Sequence, residues 1–149
     1  PDSEKLFVDL VNACVEYQST ENWLWYQEIP DSKFTYYKRE SYVETSGSGL
    51  ILYAIGVGLE RGLLPGSMRA NFVNGLHGYL DYIRDDGSVY HTCRGNRAPG
   101  DGSVLYYRAK PPVLNDIHAF GPVILAFGQA GRLGITELEM PVTTEGKQA

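Results

Sequence analysis

The sequence predicts an all-α protein built from helical hairpins, with one small β-hairpin. Apolar residues recur at helical spacing in four segments, 4–18, 46–61, 67–84 and 116–131. Two short β-prone runs, 89–93 and 104–107, flank a Gly- and Pro-rich segment, a pattern typical of a hairpin with a long tip. Alternating strand–helix units do not occur, which excludes a dinucleotide-binding sheet.

Length and composition fit one globular domain of 149 residues, with 43% hydrophobic and 21% charged residues. The net charge of −5 argues against nucleic acid and against an anionic membrane surface as partners. No apolar run approaches the ~20 residues that cross a bilayer. The first residues do not have the pattern of a signal peptide, and we leave the compartment open between the cytoplasm and a secreted or periplasmic location.

The first helix carries an apolar stripe that includes Leu6, Leu10 and Val11, and Asp2 or Ser3 can cap its start. Residues 23–43 are predicted to form a long, partly extended loop, and such loops are often functional. The two cysteines lie far apart in the sequence, and we expect both to be free thiols.

The second helix is apolar nearly all round, which predicts that it is buried on most sides. It contains four internal glycines, each of which lowers helix stability by about 1 kcal/mol relative to Ala. This cost predicts that neighbouring backbones approach the helix closely at these positions. The four glycines are Gly47, Gly49, Gly56 and Gly58. Gly62 is the expected left-handed residue after this helix, followed by Pro65.

Ser67 and Asp116 are the predicted N-caps of the third and fourth helices. Pro122 lies near the first turn of the fourth helix, where its missing N–H is tolerated.

Several short motifs occur in a fixed order along residues 5–131. They are Glu16-Tyr17-Gln18, Trp23-Leu24-Trp25-Tyr26-Gln27, Glu44-Thr45-Ser46-Gly47-Ser48, Gly58-Leu59-Glu60-Arg61-Gly62, Asn115-Asp116 and Gly121-Pro122. As an ordered set they resemble the C-terminal half of the unsaturated rhamnogalacturonyl and glucuronyl hydrolases, glycoside hydrolase families 105 and 88. The resemblance is closer to family 105.

This resemblance implies part of an (α/α)6 barrel, in which loops at one end form the substrate pocket. It also implies removal of a 4,5-unsaturated uronic acid from oligosaccharides that polysaccharide lyases leave, of the pectin or rhamnogalacturonan type. In the family an Asp protonates the vinyl ether double bond and then deprotonates water, and the resulting hemiketal collapses. The implied chemistry needs no metal and no cofactor.

The family's catalytic Asp, and the His, Trp and Arg residues that grip the uronate, lie in segments upstream of the first helix of this chain. We therefore expect residues 1–149 to be the C-terminal half of the barrel domain, with the catalytic residue unknown here and the chain inactive alone. The partners implied are the oligosaccharide and the N-terminal half of the barrel.

The resemblance places Glu44, Ser46 and Ser48 at the barrel mouth, with hydroxyls and helix N–H groups facing an anionic sugar. The alternative is that Ser46 is a simple N-cap and Glu44 a charge in the first turn. Trp25, Tyr26 and Gln27 lie in the preceding loop, where they either contact a sugar, with the aromatic rings stacking on it, or close the floor or rim of the barrel.

Asn115, Asp116 and His118 precede the last helix and complete the predicted substrate-binding set. For Asp116 we expect a capping role first and pocket lining second. The spacing of His77, His91 and Cys93 does not match a zinc site, and nothing marks Cys93 as a reactive thiolate.

Two other functions stay open from the sequence. One is a non-catalytic carbohydrate-binding or scaffold protein that keeps the half barrel. The other is a different (α/α)-barrel enzyme, a sugar epimerase or lyase.

Overall fold

The computed structural model of the chain describes residues 2–29, 41–94, 103, 106, 110–136 and 138. In this part of the chain the fold is all-α, as predicted, with four α-helices and one two-stranded antiparallel sheet. The helices are α1 (Ser3–Glu16), α2 (Thr45–Glu60), α3 (Arg69–Leu80) and α4 (Phe120–Arg132). No helix among these residues is long and apolar enough to span a bilayer.

The predicted cap of α1 is confirmed, because the Asp2 side chain accepts from the backbone N–H groups of Glu4 and Lys5. The following loop is anchored where Tyr26 pairs with Val43 in an isolated antiparallel bridge. This pairing brings the chain back to the start of α2. Residues 30–40 of the predicted loop lie outside the described residues.

Helix α2 is central and packs against the other three helices. A Cβ added at Gly49 would lie 2.7 Å from the Cβ of Pro122 in α4, and one at Gly56 would lie 2.5 Å from the Cγ of Gln129. At Gly49 the added Cβ would also lie 3.0 Å from the backbone carbonyl carbon of Pro122, so the predicted close approach of neighbouring backbones is confirmed there. At Gly56 the close neighbours are side chains, of Gln129 and Phe72, rather than backbone. Gly62 has a φ of +68° directly after the helix, also as predicted.

Two predicted features of the third helix are wrong. Ser67 does not cap it, because Ser67 lies in a 3-10 turn (Gly66–Met68) and α3 begins at Arg69 without a side-chain cap. The helix also ends at Leu80 rather than at residue 84, since Ile83 leaves it to form a bridge with Val89.

The small sheet is present, but its second strand is not the predicted one. Strand β1 (Thr92–Cys93) pairs antiparallel with β2 (Pro112–Val113), with Thr92 opposite Val113 and Cys93 opposite Pro112. The predicted partner run, 104–107, lies outside the described residues except for Tyr106, as does most of the predicted tip.

Asp116 is not the N-cap of the last helix, which begins four residues later at Phe120. Instead, the carbonyl of Asp116 accepts from the N–H of Ala119 at 2.8 Å and closes a turn. Its side chain is thereby directed to His118 rather than to the first turn of α4. The predicted boundary at residue 116 is therefore wrong, because a capping residue type was taken for a helix start.

The core lies between α2, α3 and α4 and is built around Leu52, Ile55, Phe72 and Leu76, all fully buried. Other apolar side chains stay outside it. Leu6 and Leu10 are exposed on α1, and Phe120, Ile124 and Leu125 are exposed on α4. A domain whose helices were all covered by its own core would not leave such faces open.

Candidate functional site

The start of α2 is held by the carboxylate of Glu44, which is 9% exposed. One oxygen, Oε1, accepts from the N–H of Ser46 at 3.0 Å, from the Ser46 hydroxyl at 2.7 Å and from the N–H of Cys93 at 2.9 Å. The other, Oε2, accepts from the N–H of Gly47 at 2.6 Å. Four donors surround the group, which is the environment that a buried carboxylate needs.

Thr45 fixes the same end of the helix to the segment that contains β1. Its hydroxyl donates to the carbonyl of Tyr90 at 2.9 Å and lies 3.2 Å from the hydroxyl of Thr92, while its N–H donates to the carbonyl of His91 at 3.1 Å. Thr45 and Thr92 are both fully buried. Buried polar groups that are satisfied in this way specify one relative position of the two segments.

Tyr79 of α3 also holds the start of α2, because its hydroxyl donates to the carbonyl of Thr45 at 2.7 Å. Burial, and then the negative charge of Glu44, raise the pKa of Tyr79 above its ordinary value. The phenol therefore stays protonated and keeps its role as a donor.

Trp25 is 1% exposed and forms part of the framework of the site. Its indole Nε1–H donates to the carbonyl of Cys14 at 2.7 Å, and its backbone N–H donates to the hydroxyl of Ser48 at 3.0 Å. Ser48, itself fully buried, donates in turn to the carbonyl of Trp25 at 3.3 Å. These bonds attach the loop to α1 and α2, and they use the indole N–H of Trp25 and the hydroxyl hydrogen of Ser48.

An open pocket of about 370 Å³ lies at the start of α2, between this helix and the preceding loop. Its volume suits a small part of a ligand rather than a whole oligosaccharide. Its lining combines polar and apolar side chains: Trp25, Tyr26, Gln27, Ile29, Glu44, Ser46, Gly47, Ser48, Leu50, Ile51, Cys93 and His118.

Six of the eight predicted substrate-binding residues line this pocket, and two do not. The six are Trp25, Tyr26, Glu44, Ser46, Ser48 and His118. Asn115 serves the backbone instead: with a φ of +53°, it accepts from the N–H of Val89 at 2.7 Å and donates to the hydroxyl of Ser88 at 3.1 Å. Asp116 does not line the pocket either, but its side chain contacts His118, which does.

His118 is oriented by Asp116, because Nδ1 of the ring forms a short contact with Oδ1 of the carboxylate. The same oxygen lies 3.3 Å from the backbone N–H of His118, so the two contacts orient the ring together. The His118 side chain is 49% exposed and that of Asp116 19%. A carboxylate that holds one nitrogen of an imidazole leaves the other nitrogen available to a ligand.

Sequence reasoning missed the apolar part of the pocket. Leu50 and Ile51 follow Ser46 and Gly47 by one helical turn, so they share the same side of α2. That spacing was the available signal. Ile29 joins the lining from the loop, where no periodicity predicts direction.

Cys93 lines the pocket without the properties of a nucleophile. Burial, followed by the charge of Glu44, raises the pKa of its thiol. Both cysteines are free, as the sequence predicted. In the described part of the chain, no three His, Cys, Asp or Glu side chains come close enough to share a metal ion.

Three solved structures of similar fold are described as members or possible members of glycoside hydrolase family 105. A family 105 glycoside hydrolase from C. acetobutylicum ATCC 824 is 27% identical, with a TM-score of 0.74 over 87% of this chain and 37% of its own. A possible member of family 105 from Klebsiella pneumoniae is 21% identical, with a TM-score of 0.70 over 90% of this chain and 34% of its own. One from Salmonella enterica serovar Paratyphi A is 17% identical, with a TM-score of 0.68 and the same shares.

This chain therefore spans roughly a third of the length of these proteins, and its helices form part of an (α/α)6 barrel. The sequence model described as Glycosyl Hydrolase Family 88 matches residues 1–133, which is most of the chain. On that match the chain belongs to Glycosyl Hydrolase Family 88.

Proposed function

We propose that this chain forms one side of the barrel of a glycoside hydrolase that removes 4,5-unsaturated uronic acid from lyase-generated oligosaccharides. The substrates are of the pectin or rhamnogalacturonan type, and the reaction hydrates the vinyl ether double bond. The chain supplies barrel helices and part of the substrate pocket. The observation that carries the proposal is the open pocket at the start of α2, in a chain of this family.

We also propose that the catalytic carboxylic acid comes from outside this chain. Among the described residues that line the pocket, Glu44 alone carries a carboxylate. Both of its oxygens accept hydrogen bonds, from three backbone N–H groups and one hydroxyl. A general acid must direct a proton at the substrate, and both oxygens of Glu44 are directed at these donors instead.

The exposed apolar faces support the same view. Leu6 and Leu10 on α1, and Ile124 on α4, are each more than 60% exposed. Burying them requires further protein surface, and further helices would supply it in a closed barrel. The proposed arrangement is therefore a ring in which this chain's pocket faces a proton donor on the opposite side.

The direct test uses an unsaturated uronyl disaccharide and follows the loss of absorbance of its double bond. The 149-residue chain alone is expected to leave the absorbance unchanged, while the protein encoded by the intact gene is expected to hydrolyse the disaccharide. Full activity of the chain alone would contradict the external acid. An intact-gene product that binds the disaccharide without turnover would favour the non-catalytic alternative.

A pair of variants of the intact-gene product then tests the pocket. Tyr26→Ala removes a ring that lines it and is expected to raise KM, because contact with the sugar is lost. His77→Ala changes an exposed residue of α3 and is the matched control, with unchanged kinetics. Equal kinetics for both variants would place the substrate elsewhere.

A further inference from the structure

His91 lies directly before strand β1 in a backbone conformation that few side chains adopt. Its φ is +56°, in the left-handed region, where a residue other than glycine has to be held by its surroundings. The start of α2 holds it: the N–H of Thr45 donates to the carbonyl of His91 at 3.1 Å, and the Thr45 hydroxyl donates to the carbonyl of Tyr90 at 2.9 Å. The positions of His91 and of the α2 start are therefore linked.

The imidazole of His91 contacts two tyrosine rings from different parts of the chain. The ring of Tyr42 meets it edge-on, with centroids 5.9 Å apart, and the tilted ring of Tyr82 lies at 5.1 Å. A hydrogen bond also joins the imidazole to the backbone of Val43. Residues 42 and 43 precede the cap of α2, whereas Tyr82 follows α3, so the ring lies where three segments meet.

One nitrogen of this imidazole, Nδ1, is buried and has no hydrogen-bond partner within the described residues. The neutral ring carries a hydrogen on one nitrogen only, but the imidazolium carries one on each. Protonation would therefore place a charged donor at Nδ1 with no acceptor opposite it. A buried charge without a partner is costly, so this site accommodates the neutral ring and opposes the imidazolium.

Titratable groups lie on every segment that packs against His91, but none of those described supplies an acceptor for Nδ1. They are Tyr26 and Tyr42 in the loop, Glu44 at the start of α2, Asp81, Tyr82 and Arg84 after α3, and Tyr90 and Cys93 beside His91 itself. The carboxylate of Glu44 accepts from four other donors, and the Arg84 guanidinium lies 4.2 Å from the centroid of the Tyr90 ring. Burial lowers the pKa of His91 below its ordinary 6.5, and the hydrogen bond with Val43 offsets only part of this effect.

We propose that His91 is a pH-sensitive switch whose neutral ring holds residues 42–45 against residues 90–93, and whose protonation releases them. The bonds that release would break are those of Thr45 to Tyr90 and His91 and that of Glu44 to the N–H of Cys93. Glu44 and Cys93 line the pocket and His91 does not. The switch therefore acts on the pocket wall from outside it, through the backbone, and does not depend on the proposed catalytic function.

The direction of the pH dependence follows from the lowered pKa. The closed form binds the proton less readily than the released form, in which the imidazole titrates near its ordinary 6.5. The closed form is therefore fully favoured above about pH 6.5 and loses stability as the pH falls below that value towards the lowered pKa of the buried ring. For a single proton, the ratio of closed to released form changes by at most about tenfold per pH unit.

Hydrogen exchange of the backbone amides, read by mass spectrometry on the intact-gene product, tests the switch. Rates at about pH 7.5 and about pH 5 are compared after correction for intrinsic exchange at each pH. We expect protection of residues 42–45 and 90–93 to fall several-fold at the lower pH, while the middle of α2, around Leu52, keeps its protection. Unchanged protection of both segments overturns the proposal, and so does an equal loss around Leu52, which is the result of global unfolding.

Histidine variants identify the group that titrates. His91→Asn keeps a residue type that tolerates the left-handed conformation and does not titrate, so the protection of both segments should become independent of pH. His77→Asn on the exposed side of α3 and His118→Asn remove the other two histidines of this chain, and both should keep the pH response. A response that persists in His91→Asn, or that disappears in His77→Asn, overturns the proposal.

A second measurement needs no variant. The slow exchange of the imidazole C2 hydrogen, followed by mass spectrometry across a pH series, reports the titration of each histidine in the parent protein. We expect the midpoint of His91 to lie below 6.5. A midpoint at or above that value overturns the switch whether or not His91→Asn folds.

Discussion

The carboxylate of Glu44 accepts a hydrogen bond of 2.9 Å from the backbone N–H of Cys93, a residue 49 positions later in the chain. The same group caps α2 through Ser46 and Gly47. One side chain therefore joins the helix start to strand β1 and forms part of the pocket wall. Its replacement should affect stability before it affects any ligand.

Glu44→Gln tests this joint. The carboxamide keeps the size of the side chain but places an NH2 group where donors already converge, which leaves at least one buried donor without an acceptor. We expect a loss of about 2–4 kcal/mol in the free energy of unfolding, measured by urea denaturation. Glu16→Gln, on the exposed end of α1, should stay within about 0.5 kcal/mol of the parent protein. Equal effects of the two changes would contradict the joint.

Gly78 of α3 and Gly128 of α4 form a matched pair of helical glycines with opposite expected outcomes. A Cβ at Gly78 would lie 1.8 Å from the backbone carbonyl oxygen of Asn22, whereas one at Gly128 would meet nothing within 4 Å. Gly78→Ala should destabilise the chain by about 3 kcal/mol or more, since backbone has to move. Gly128→Ala should stabilise it by about 0.5–1 kcal/mol through helix propensity. Thermal unfolding measures both, and a tolerated Ala at Gly78 would contradict the close approach.

The ion pair between Glu60 and Arg132 joins the ends of α2 and α4 and should make stability depend on acid pH. Hydrogen bonds from Arg132 and then from Gln129 lower the pKa of Glu60 below its ordinary 4.5. The folded state therefore binds this proton less readily than the unfolded state. The stabilisation is present above about pH 4.5 and is lost as pH falls through the lowered pKa.

The corresponding measurement is the urea midpoint of the parent protein and of Glu60→Gln between pH 6.5 and 3. The two midpoints should differ at the upper end and converge towards the lower end. Parallel curves would show that Glu60 contributes no pH-dependent stability.

The exposed apolar face of α4, formed by Phe120, Ile124 and Leu125, should promote self-association of the isolated chain. Ile124 is 70% exposed, and its neighbour one turn earlier is Phe120. Ile124→Lys should weaken the association at least about tenfold, as measured by sedimentation velocity over a range of concentrations. Ala70→Lys, an exposed change of equal charge on α3, should have little effect. An isolated parent chain that is monomeric at high concentration would contradict this prediction.

Local patterns predicted the helices well because apolar spacing reports directly on the buried face of each helix. They failed where a capping residue type was taken as sufficient: Ser67 and Asp116 both have suitable side chains, yet neither caps a helix. The true cap of α2 is Glu44, a type that is not among the preferred N-caps. It works here because Cys93 supplies a further donor, a contact that no local pattern contains.

The pocket was predictable to the extent that it lies on consecutive residues of α2 and its preceding loop. Asn115 and His118 were both predicted to bind substrate, but Asn115 bonds to the backbone whereas His118 lines the pocket. This difference depends on the turn before α4. The pairing of β1 with Pro112–Val113 was equally beyond reach, since strands of two residues carry no periodicity. These features follow from tertiary packing rather than from residue preference.

The bond from the Trp25 indole to the carbonyl of Cys14 gives the molecule an intrinsic optical reporter. An indole shielded from water emits at shorter wavelength than a hydrated one, so its fluorescence follows the attachment of the loop to the end of α1. Replacing the half-buried Trp23 by Phe would leave Trp25 as the single tryptophan. Detachment of the first helix, ahead of global unfolding, would then appear as an early red shift in the emission.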